Sequence, residues 1–378
     1  MGIFYLLSTV FRNSAILYTL LIIVSIQNVW AQTDFRMPKH YTVHKTIDTL
    51  NIDGKGNEEA WKKAKWSTYY IDIEAKNSTK PYHATRMKML WDDQYMYFYA
   101  AMEEPHIWAT LTDRDAVIFL DNDFEIFIDP DGDTHNYYEF EINAFNTVWD
   151  LLLTRPYRDG GRAINSWDIK GLKSAVHIDG TINDPSDTDK GWSIEVAIPW
   201  EVLKEGTTKS VPPKNGHQWR LNFSRVQYKT DIIDNQYVKR KSPATGKDLP
   251  PDNWVWTPQR AIAMHEPEYW GIVSFTESII GKSWVSIAID TGSEQVRAML
   301  YTIHRNQIAY KKLNGFYSDD GNALLNGQVF FKDGKTKIEL EISADSGTYH
   351  ASIKRFNSQY NYLHIDHTGR IWTERKRN

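Results

Sequence analysis

Residues 121–133 read Asp121-Asn122-Asp123-Phe124-Glu125-Ile126-Phe127-Ile128-Asp129-Pro130-Asp131-Gly132-Asp133. Apolar side chains occupy every second position from Phe124 to Ile128, which is the period of a β-strand with one face in a core. Glu125 takes an intervening position, and Pro130 begins a turn rich in Asp and Gly. The stretch therefore predicts a strand that carries acidic groups on its outer face and at both ends.

The same period of two recurs along most of the chain up to about residue 275. The segments concerned are 87–91, 95–99, 138–142, 192–198 and 219–223. Many short strands with little helix between them indicate a mainly β fold. We expect an antiparallel, immunoglobulin-like β-sandwich over residues 34–278. The exceptions are a short helical turn that carries Trp61 and a long ordered loop over residues 230–253.

The pattern changes near residue 280. Val296, Met299, Leu300 and Ile303 follow a helical spacing, which predicts an amphipathic helix. Three strand-like segments follow at 335–342, 348–353 and 362–372, separated by glycine-containing turns. Residues 279–378 are therefore predicted to form a small α+β domain.

The N-terminal residues are predicted to be a targeting segment. An apolar run over residues 15–26 follows Arg12, and small residues precede a cleavage point at Ala31. The run is shorter than the ~20 residues that a membrane-spanning helix needs, which favours a signal peptide over residues 1–31 rather than an anchor. We expect a secreted or periplasmic protein with no membrane span after signal cleavage.

Composition narrows the classes of partner. The chain has no cysteine, which excludes disulfides, thiolate metal sites and a cysteine nucleophile. Its net charge of −4 gives no reason to expect nucleic acid. With 15 Trp, 21 Tyr and 15 Phe, it is rich in rings whose flat apolar faces suit the C–H faces of sugars.

Five motifs appear in order along the predicted sandwich. They are Ile52-Asp53-Gly54 with Trp61, Leu90-Trp91-Asp92-Asp93-Gln94-Tyr95-Met96-Tyr97, Asp123-Phe124-Glu125-Ile126-Phe127-Ile128-Asp129, Glu195-Val196-Ala197-Ile198-Pro199-Trp200 and Trp219-Arg220-Leu221-Asn222-Phe223-Ser224-Arg225. Together they resemble carbohydrate-binding module family 9 over roughly residues 40–275. The resemblance implies a non-catalytic β-sandwich that binds saccharides or polysaccharide chain ends, in some relatives attached to xylan-degrading domains.

The resemblance also implies particular site residues. Glu125 matches the ligand-binding glutamate of the family. Xylanase-linked members hold a terminal sugar between two tryptophans, and the matching positions here are Phe119 and Met264. Trp108, Trp254, Trp256 or Trp270 would then supply a substitute wall for the ligand.

Polar side chains share the outer phase of the predicted strands. Arg220 and Asn222 lie on that phase, as do Glu139, Glu141 and Glu195. Acceptors and donors mixed in this way suit sugar hydroxyls. The alternative is an ordinary solvated face with cross-strand ion pairs.

Arg158 lies in a loop with other arginines beside Gly160-Gly161. Guanidinium groups pair with carboxylates in a bidentate way, so this loop could recognise acidic sugars. It could equally brace itself through ion pairs with Asp150 and Asp159.

Asp129, Asp131 and Asp133 place three carboxylates at alternate positions of a turn, which suits Ca²⁺. The spacing does not fit an EF-hand loop, and a plain hairpin turn is the competing interpretation. The resemblance is also compatible with a structural Ca²⁺ elsewhere in the sandwich. No cofactor is required.

We therefore expect a secreted carbohydrate-binding protein with a role in polysaccharide utilisation. One alternative is a hydrolase or lyase that degrades glycans, since paired carboxylates cleave glycosidic bonds. Another is a haem b electron-transfer domain, although the adjacent Met264 and His265 would point to opposite faces of a strand. A third is an interaction scaffold with a partner at the cell envelope.

Overall fold

The computed structural model describes residues 35–75, 80–283, 285–326, 338–355 and 360–375. The predicted signal peptide lies outside these ranges. None of the helices within them is long and apolar enough to cross a membrane.

The described residues form nineteen strands and three α-helices. The strands are β1 (His40–Lys45), β2 (Ile71–Asp72), β3 (Thr85–Trp91), β4 (Tyr95–Glu103), β5 (Asp123–Asp129), β6 (Tyr137–Asn143), β7 (Val148–Leu153), β8 (Ala163–Ile164), β9 (Lys173–Asp179), β10 (Gly191–Pro199), β11 (Gln218–Gln227), β12 (Thr230–Ile233), β13 (Gln236–Lys239), β14 (Asp252–Val255), β15 (Gly271–Ile279), β16 (Ile338–Ala344), β17 (Tyr349–Arg355), β18 (Tyr360–Asp366) and β19 (Ile371–Arg375). The helices are α1 (Glu59–Lys63), α2 (Thr291–Asn314) and α3 (Gly321–Leu325). The predicted mainly β class is confirmed.

Thirteen strands join in one hydrogen-bonded sheet that curls around its own core. The strand order is β8-β7-β6-β5-β11-β15-β1-β3-β4-β10-β9, with β14 paired to β11 and β2 paired to β14. All pairs are antiparallel except those of β1, which runs parallel to both β15 and β3. Phe98 of β4 and Phe223 of β11 lie four strands apart in this order, yet their ring centroids are 5.9 Å apart. The two halves of the sheet therefore pack face to face as the expected sandwich.

The inner residues are those that the period of two predicts. Phe124, Ile126, Ile194 and Trp192 are all buried in a single cluster shared by both halves of the sheet. Burial of alternate side chains follows from the pleat, because every second residue of a strand faces the same layer.

Both outer faces of the sandwich are partly covered as well. On β10, Glu195 accepts hydrogen bonds from the backbone N–H groups of Asp53 and Gly54 at 3.0 and 2.8 Å, and from Trp61 Nε1 at 2.7 Å. Glu195 is fully buried. It ties α1 to the sheet and belongs to no solvated surface.

Residues 230–253 are more regular than the predicted long loop. β12 and β13 pair as an antiparallel hairpin, and Lys241 forms a bridge with Asp248. The turn of the hairpin contains Asp234 and Asn235, both with a positive φ. Such left-handed positions favour Asn and Asp, so the hairpin is encoded locally.

The C-terminal region has its own core. Helix α2 packs on the sheet β16-β17-β18-β19, and Val296, Leu300 and Ile303 meet Ile353 and Ile365 there. Asp290 caps the helix by accepting a bond from Ser293 N, and Gly315 ends it with φ 85°. The amphipathic helix and a sheet after it are confirmed, but the expected third segment, 362–372, is two strands, β18 and β19, joined by a turn that contains Gly369.

Polar contacts join the C-terminal region to the sandwich. His304 of α2, which is fully buried, lies 2.8 Å from Asp159 through Nε2 and 2.6 Å from the Tyr349 hydroxyl through Nδ1. Arg297 donates to the carbonyl of Gly132 at 2.7 Å. Loops of the sandwich and one face of α2 therefore form a shared polar interface.

Candidate functional site

Four carboxylates lie together on the outer face of β5 and β6. Asp123 and Glu125 share one face of β5, and Glu141 is the cross-strand partner of Glu125. Glu139 lies two residues before Glu141 on the same face. We call these four residues the acidic floor. Glu125 is only 5% exposed, and the others are no more exposed than that.

Burial changes the protonation of the acidic floor. Loss of hydration raises the pKa of Glu125 to about 7. The pKa values of Asp123, Glu139 and Glu141 rise well above the ordinary range for the same reason and because the other carboxylates lie close by. Burial and mutual repulsion therefore favour the protonated form of each carboxyl group, which can donate as well as accept a hydrogen bond.

Exposed apolar side chains border the acidic floor on one side. A 3₁₀ turn over Ile118–Leu120 buries Ile118 and leaves Phe119 41% exposed, together with Val117 and Leu120. We call these three exposed residues the apolar lip. The backbone N–H of Phe119 donates to Glu141 Oε2 at 2.9 Å, which fixes the lip directly beside the floor.

Further rings stand near the floor. The Phe119 ring lies 6.2 Å from the half-buried ring of Trp149 at an angle of 37°. Tyr157 is exposed, and its ring meets His265 edge-on at 4.6 Å. Burial and then the carboxylates of Glu139 and Glu141 raise the pKa of Tyr157, so its hydroxyl lies within their electrostatic reach.

Two residues expected at the site serve other contacts. Arg220 forms an ion pair with Glu294 of α2, with Nη2 to oxygen distances of 2.5 and 2.6 Å. Asn222 is fully buried, donates to the carbonyl of Thr257 at 2.9 Å and accepts from its N–H at 3.0 Å. The structure corrects the prediction that these side chains line the site, because Arg220 is paired with Glu294 of α2 and the amide of Asn222 is bonded to the backbone of Thr257.

The proposed substitute wall is also corrected. Trp256 is 1% exposed and Trp270 is 0% exposed, so neither presents a ring face to solvent. Trp270 Nε1 donates to the carbonyl of Met264 at 2.9 Å within a buried apolar cluster. His265, the neighbour of Met264, is bonded to the Tyr137 hydroxyl at 2.9 Å. A haem site remains a prediction that nothing in this geometry supports.

Arg158 braces its loop through ion pairs, which is the second of the two interpretations of its sequence pattern. It pairs with Asp159 at 3.3 Å, with Glu268 at 2.9 Å and with Glu266. Arg305 of α2 pairs with Glu266 and Glu268 from the other side. The guanidinium of Arg158 is therefore part of the interface with the C-terminal region, and it leaves no open donor pair for an acidic sugar.

The turn of Asp129, Asp131 and Asp133 also meets the C-terminal region. Oxygens of the three carboxylates lie within 4.8 Å of one another, as a metal site requires. However, Asp129 accepts from the N–H groups of Gly132 and Thr134, and Asp133 pairs with Arg370 at 2.8 Å. A metal in this turn stays a prediction, with basic groups already supplying countercharge.

A separate hollow lies over the other half of the sandwich. It has a volume of about 480 Å³ and is lined by Tyr69, Arg86, Tyr99 and Trp192, among others. Arg86 stacks on the ring of Trp66 at 4.1 Å. This hollow contains none of the residues that the family resemblance assigns to ligand binding, so we call it the reference hollow and use it for control variants.

The sequence identified the outer phase of β5 and β6 but missed two features. One is the convergence of Asp123 with Glu125 and Glu141, for which the signal is an Asp-x-Glu spacing on a strand paired with a second Glu-rich strand. The other is the pair of rings from Trp149 and Tyr157, which come from strand β7 and from the 3₁₀ turn Tyr157–Asp159 and leave no shared local pattern.

The sequence model of the family described as Carbohydrate family 9 binding domain-like matches residues 52–277, more than half of the chain. The chain belongs to this family. The predicted resemblance is thereby confirmed, and residues 52–277 form a carbohydrate-binding domain of a non-catalytic type.

Curated relatives match part of the chain. Endo-1,4-beta-xylanase C of Paenibacillus barcinonensis is 26% identical over 161 residues, which cover 43% of this chain and 12% of the relative. Endo-1,4-beta-xylanase A of Thermoanaerobacterium saccharolyticum is 27% identical over 129 residues, 34% of this chain and 9% of the relative. The chain spans about an eighth or less of the length of these relatives.

Two solved structures are similar to the chain. A candidate carbohydrate-binding protein from Bacteroides uniformis has 15% sequence identity and a TM-score of 0.45, covering 63% of this chain and 99% of that one. A family 9 carbohydrate-binding module from Caldicellulosiruptor kristjanssonii in complex with cellotriose has 14% identity and a TM-score of 0.39, covering 66% and 100%.

Proposed function

We propose that the acidic floor and the apolar lip bind a saccharide, and that the protein acts outside the cytoplasm as a non-catalytic receptor in polysaccharide utilisation. The observation that carries the proposal is that Glu141, the cross-strand partner of Glu125, is bonded to the backbone of Phe119, whose ring is exposed, in a family 9 domain. An aromatic face stacks on a sugar ring, while carboxyl groups bond its hydroxyls.

The choice of saccharide follows the relatives. Two are named as xylanases and one solved relative holds cellotriose, so xylo- and cello-oligosaccharides are the first candidates. The exposed surface of the site is limited to the three residues of the apolar lip, and so small a surface suits a chain end better than the flat surface of a polymer. We therefore expect binding to depend on the terminal sugar.

Calorimetric titration tests the proposal. Wild type is titrated with xylo- and cello-oligosaccharides, and with the same oligosaccharides after reduction of the terminal sugar to its alditol. We expect Glu125→Gln to lose roughly tenfold in affinity, because a charge-capable acceptor is worth about 1.5 kcal/mol or more. Its melting temperature should be unchanged or higher, since one member of a crowded carboxylate group becomes neutral.

Tyr69→Ala is the matched control because it opens no buried core and lies at the reference hollow. Loss of affinity in Tyr69→Ala with none in Glu125→Gln would move the site to that hollow and refute the proposal. Equal affinity for reduced and unreduced oligosaccharides would refute the preference for chain ends.

The same incubations test the catalytic alternative. Glu125 and Glu141 carboxyl oxygens lie within 4.8 Å of each other, near the ~5 Å separation used by retaining glycosidases. Chromatography of the oligosaccharides after prolonged incubation should show no cleavage. Products that disappear in Glu125→Gln would establish a hydrolase instead. Secretion is tested by fractionating cells and locating the processed chain.

A further inference from the structure

Arg86 on β3 lies in the reference hollow beside two aromatic rings. Its Cζ atom is 4.1 Å from the ring centroid of Trp66 and 5.4 Å from that of Tyr69. Within the part of the chain that the structure describes, the guanidinium forms neither an ion pair nor a hydrogen bond. Arg86 is half-buried, and a guanidinium carries five N–H donors in one plane. Those donors are free for a ligand, while the stacked rings hold the group in place.

The register of four strands builds the hollow around Arg86. Arg86 pairs with Ala101 of β4, and Ala101 pairs with Ser193 of β10. Ser193 pairs in turn with His177 of β9. Paired residues of neighbouring strands share a face of the sheet, so these four side chains form one row across its outer face. The two middle side chains are small and the two at the ends are long, which makes the row a trough with Arg86 at one wall.

The hollow is lined by more basic than acidic side chains. The charged lining residues are Lys55, Arg86, Glu103, Asp179 and Lys190. Asp179 pairs with Lys190 at 3.2 Å, and Glu103 accepts a hydrogen bond from the backbone N–H of Ala84 at 3.0 Å. A ligand with one negative charge therefore complements the hollow at Arg86.

A second basic group near Trp66 strengthens this preference. Lys88 Nζ lies 4.4 Å from the Trp66 centroid and donates to the carbonyl of Trp61 at 2.5 Å. Burial, and then the positive charge of Arg86, lower the pKa of Lys88 to about 8. An anion bound at Arg86 would offset the repulsion between these two basic groups.

Tyr69 supplies an apolar surface at the same place. It is 54% exposed, and a ring of this kind stacks on the C–H face of a sugar. Arg158, for which the sequence suggested recognition of acidic sugars, has its guanidinium paired with Glu266 and Glu268. Arg86 therefore has the open donors beside an aromatic face that Arg158 lacks.

We propose that the reference hollow binds an acidic saccharide, in which Arg86 pairs with the carboxylate of a uronic acid while Tyr69 stacks on its sugar ring. Guanidinium and carboxylate are matched for two parallel hydrogen bonds. The volume of about 480 Å³ lies within the ~300–1,000 Å³ of pockets for small ligands. All the lining residues fall inside residues 52–277, which form the carbohydrate-binding domain, and this favours a sugar carboxylate over other anions.

This site is independent of the acidic floor. The carboxyl groups of the floor disfavour an anion, whereas the hollow attracts one. The two surfaces therefore select saccharides of different charge. A neutral oligosaccharide has no carboxylate for Arg86, so Tyr69→Ala remains a valid control for neutral ligands at the floor.

Calorimetric titration of the full chain tests the hollow. The ligands are an oligogalacturonide and a xylo-oligosaccharide that carries glucuronic acid, each as the free acid and as its methyl ester. Wild type should bind a free acid roughly tenfold more tightly than its ester, because the ester cannot form the charge-assisted pair. Arg86→Gln should lower affinity for that acid roughly tenfold. The control Arg240→Gln removes the same charge outside the hollow and should bind as wild type does.

Two further variants assign the site. Arg86→Lys keeps a positive charge near Trp66 but lacks the planar fork, so it should also lose affinity for the acid while its melting temperature stays within roughly 3 °C of wild type. Glu125→Gln should keep wild-type affinity for the acid, because the acidic floor takes no part in this contact.

Absence of binding to both free acids would overturn the proposal, as would equal affinity for the acid and its ester. An equal loss in Arg86→Gln and Arg240→Gln would reduce the effect to net charge and overturn it too. A loss in Glu125→Gln with none in Arg86→Gln would place the acidic sugar at the floor instead. If neutral oligosaccharides fail to bind while the response to the acid is intact, the proposed function falls and the hollow is supported.

Discussion

Replacement of Phe119 by alanine should reduce saccharide affinity by roughly 30-fold. The side chain is 41% exposed. An aromatic side chain has roughly 200 Å² to bury, so a stacked sugar would cover about 80 Å² of it. At about 25 cal/mol per Å², that area contributes about 2 kcal/mol, and each 1.4 kcal/mol corresponds to tenfold in affinity. The value is an upper estimate, because a sugar covers one face of the ring only.

Calorimetric titration of wild type, Phe119→Ala and Phe145→Ala with one oligosaccharide measures the effect. Phe145 is a matched control, since it is 40% exposed and stands in the turn between β6 and β7. It lines a separate hollow with Arg114 and Leu172. Phe145→Ala should bind as wild type does. A loss below twofold in Phe119→Ala, or an equal loss in both variants, would refute the stacking argument.

Three further predictions concern the framework of the site. Glu195→Ala should lower the melting temperature by roughly 10 °C, because three donors lose their acceptor at a cost of about 4 kcal/mol. A calorimetric melting temperature within about 3 °C of wild type, which corresponds to a loss on the order of 1 kcal/mol, would contradict this prediction. Asp159→Ala should remove the partner of His304 and raise the rate of proteolysis between residues 280 and 290 roughly tenfold; an unchanged cleavage rate would show that docking does not depend on this contact. Asp121→Ala should weaken saccharide binding roughly tenfold, since Asp121 accepts three bonds from residues 110 and 111 at the start of the loop that carries Phe119; titration at wild-type affinity would exclude this support.

The inner faces of the sandwich were predictable from the sequence. Trp192, Ile194 and Phe223 occupy alternate positions, and the structure buries each of them in the common core. A period of two is a local pattern, and it requires no knowledge of what packs on the strand. The five ordered motifs added the family, which composition alone would not identify.

The outer face was harder to predict because distant segments cover it. Arg220 looks like a surface residue in sequence, yet its partner Glu294 lies 74 positions later on α2. Trp270 looks like a candidate wall, but the loop that contains it folds back over β5 and β6. The signal available in the sequence was the pair His304 and Arg305 on α2. Both are polar residues of a helix that was otherwise expected to expose its polar side to solvent, and His304 is fully buried.

The 3₁₀ turn Tyr157–Asp159 has a consequence for any larger assembly. Its first residue stands at the rim of the proposed saccharide surface, and its last residue is bonded to His304 of the C-terminal region. The proposed glycan binding and the packing of the C-terminal region on the sandwich therefore both involve this three-residue turn. By thermodynamic reciprocity, any factor by which this packing changes glycan affinity is the factor by which a bound glycan changes the packing. A saccharide bound as proposed would therefore be linked to the packing of the C-terminal region on the sandwich.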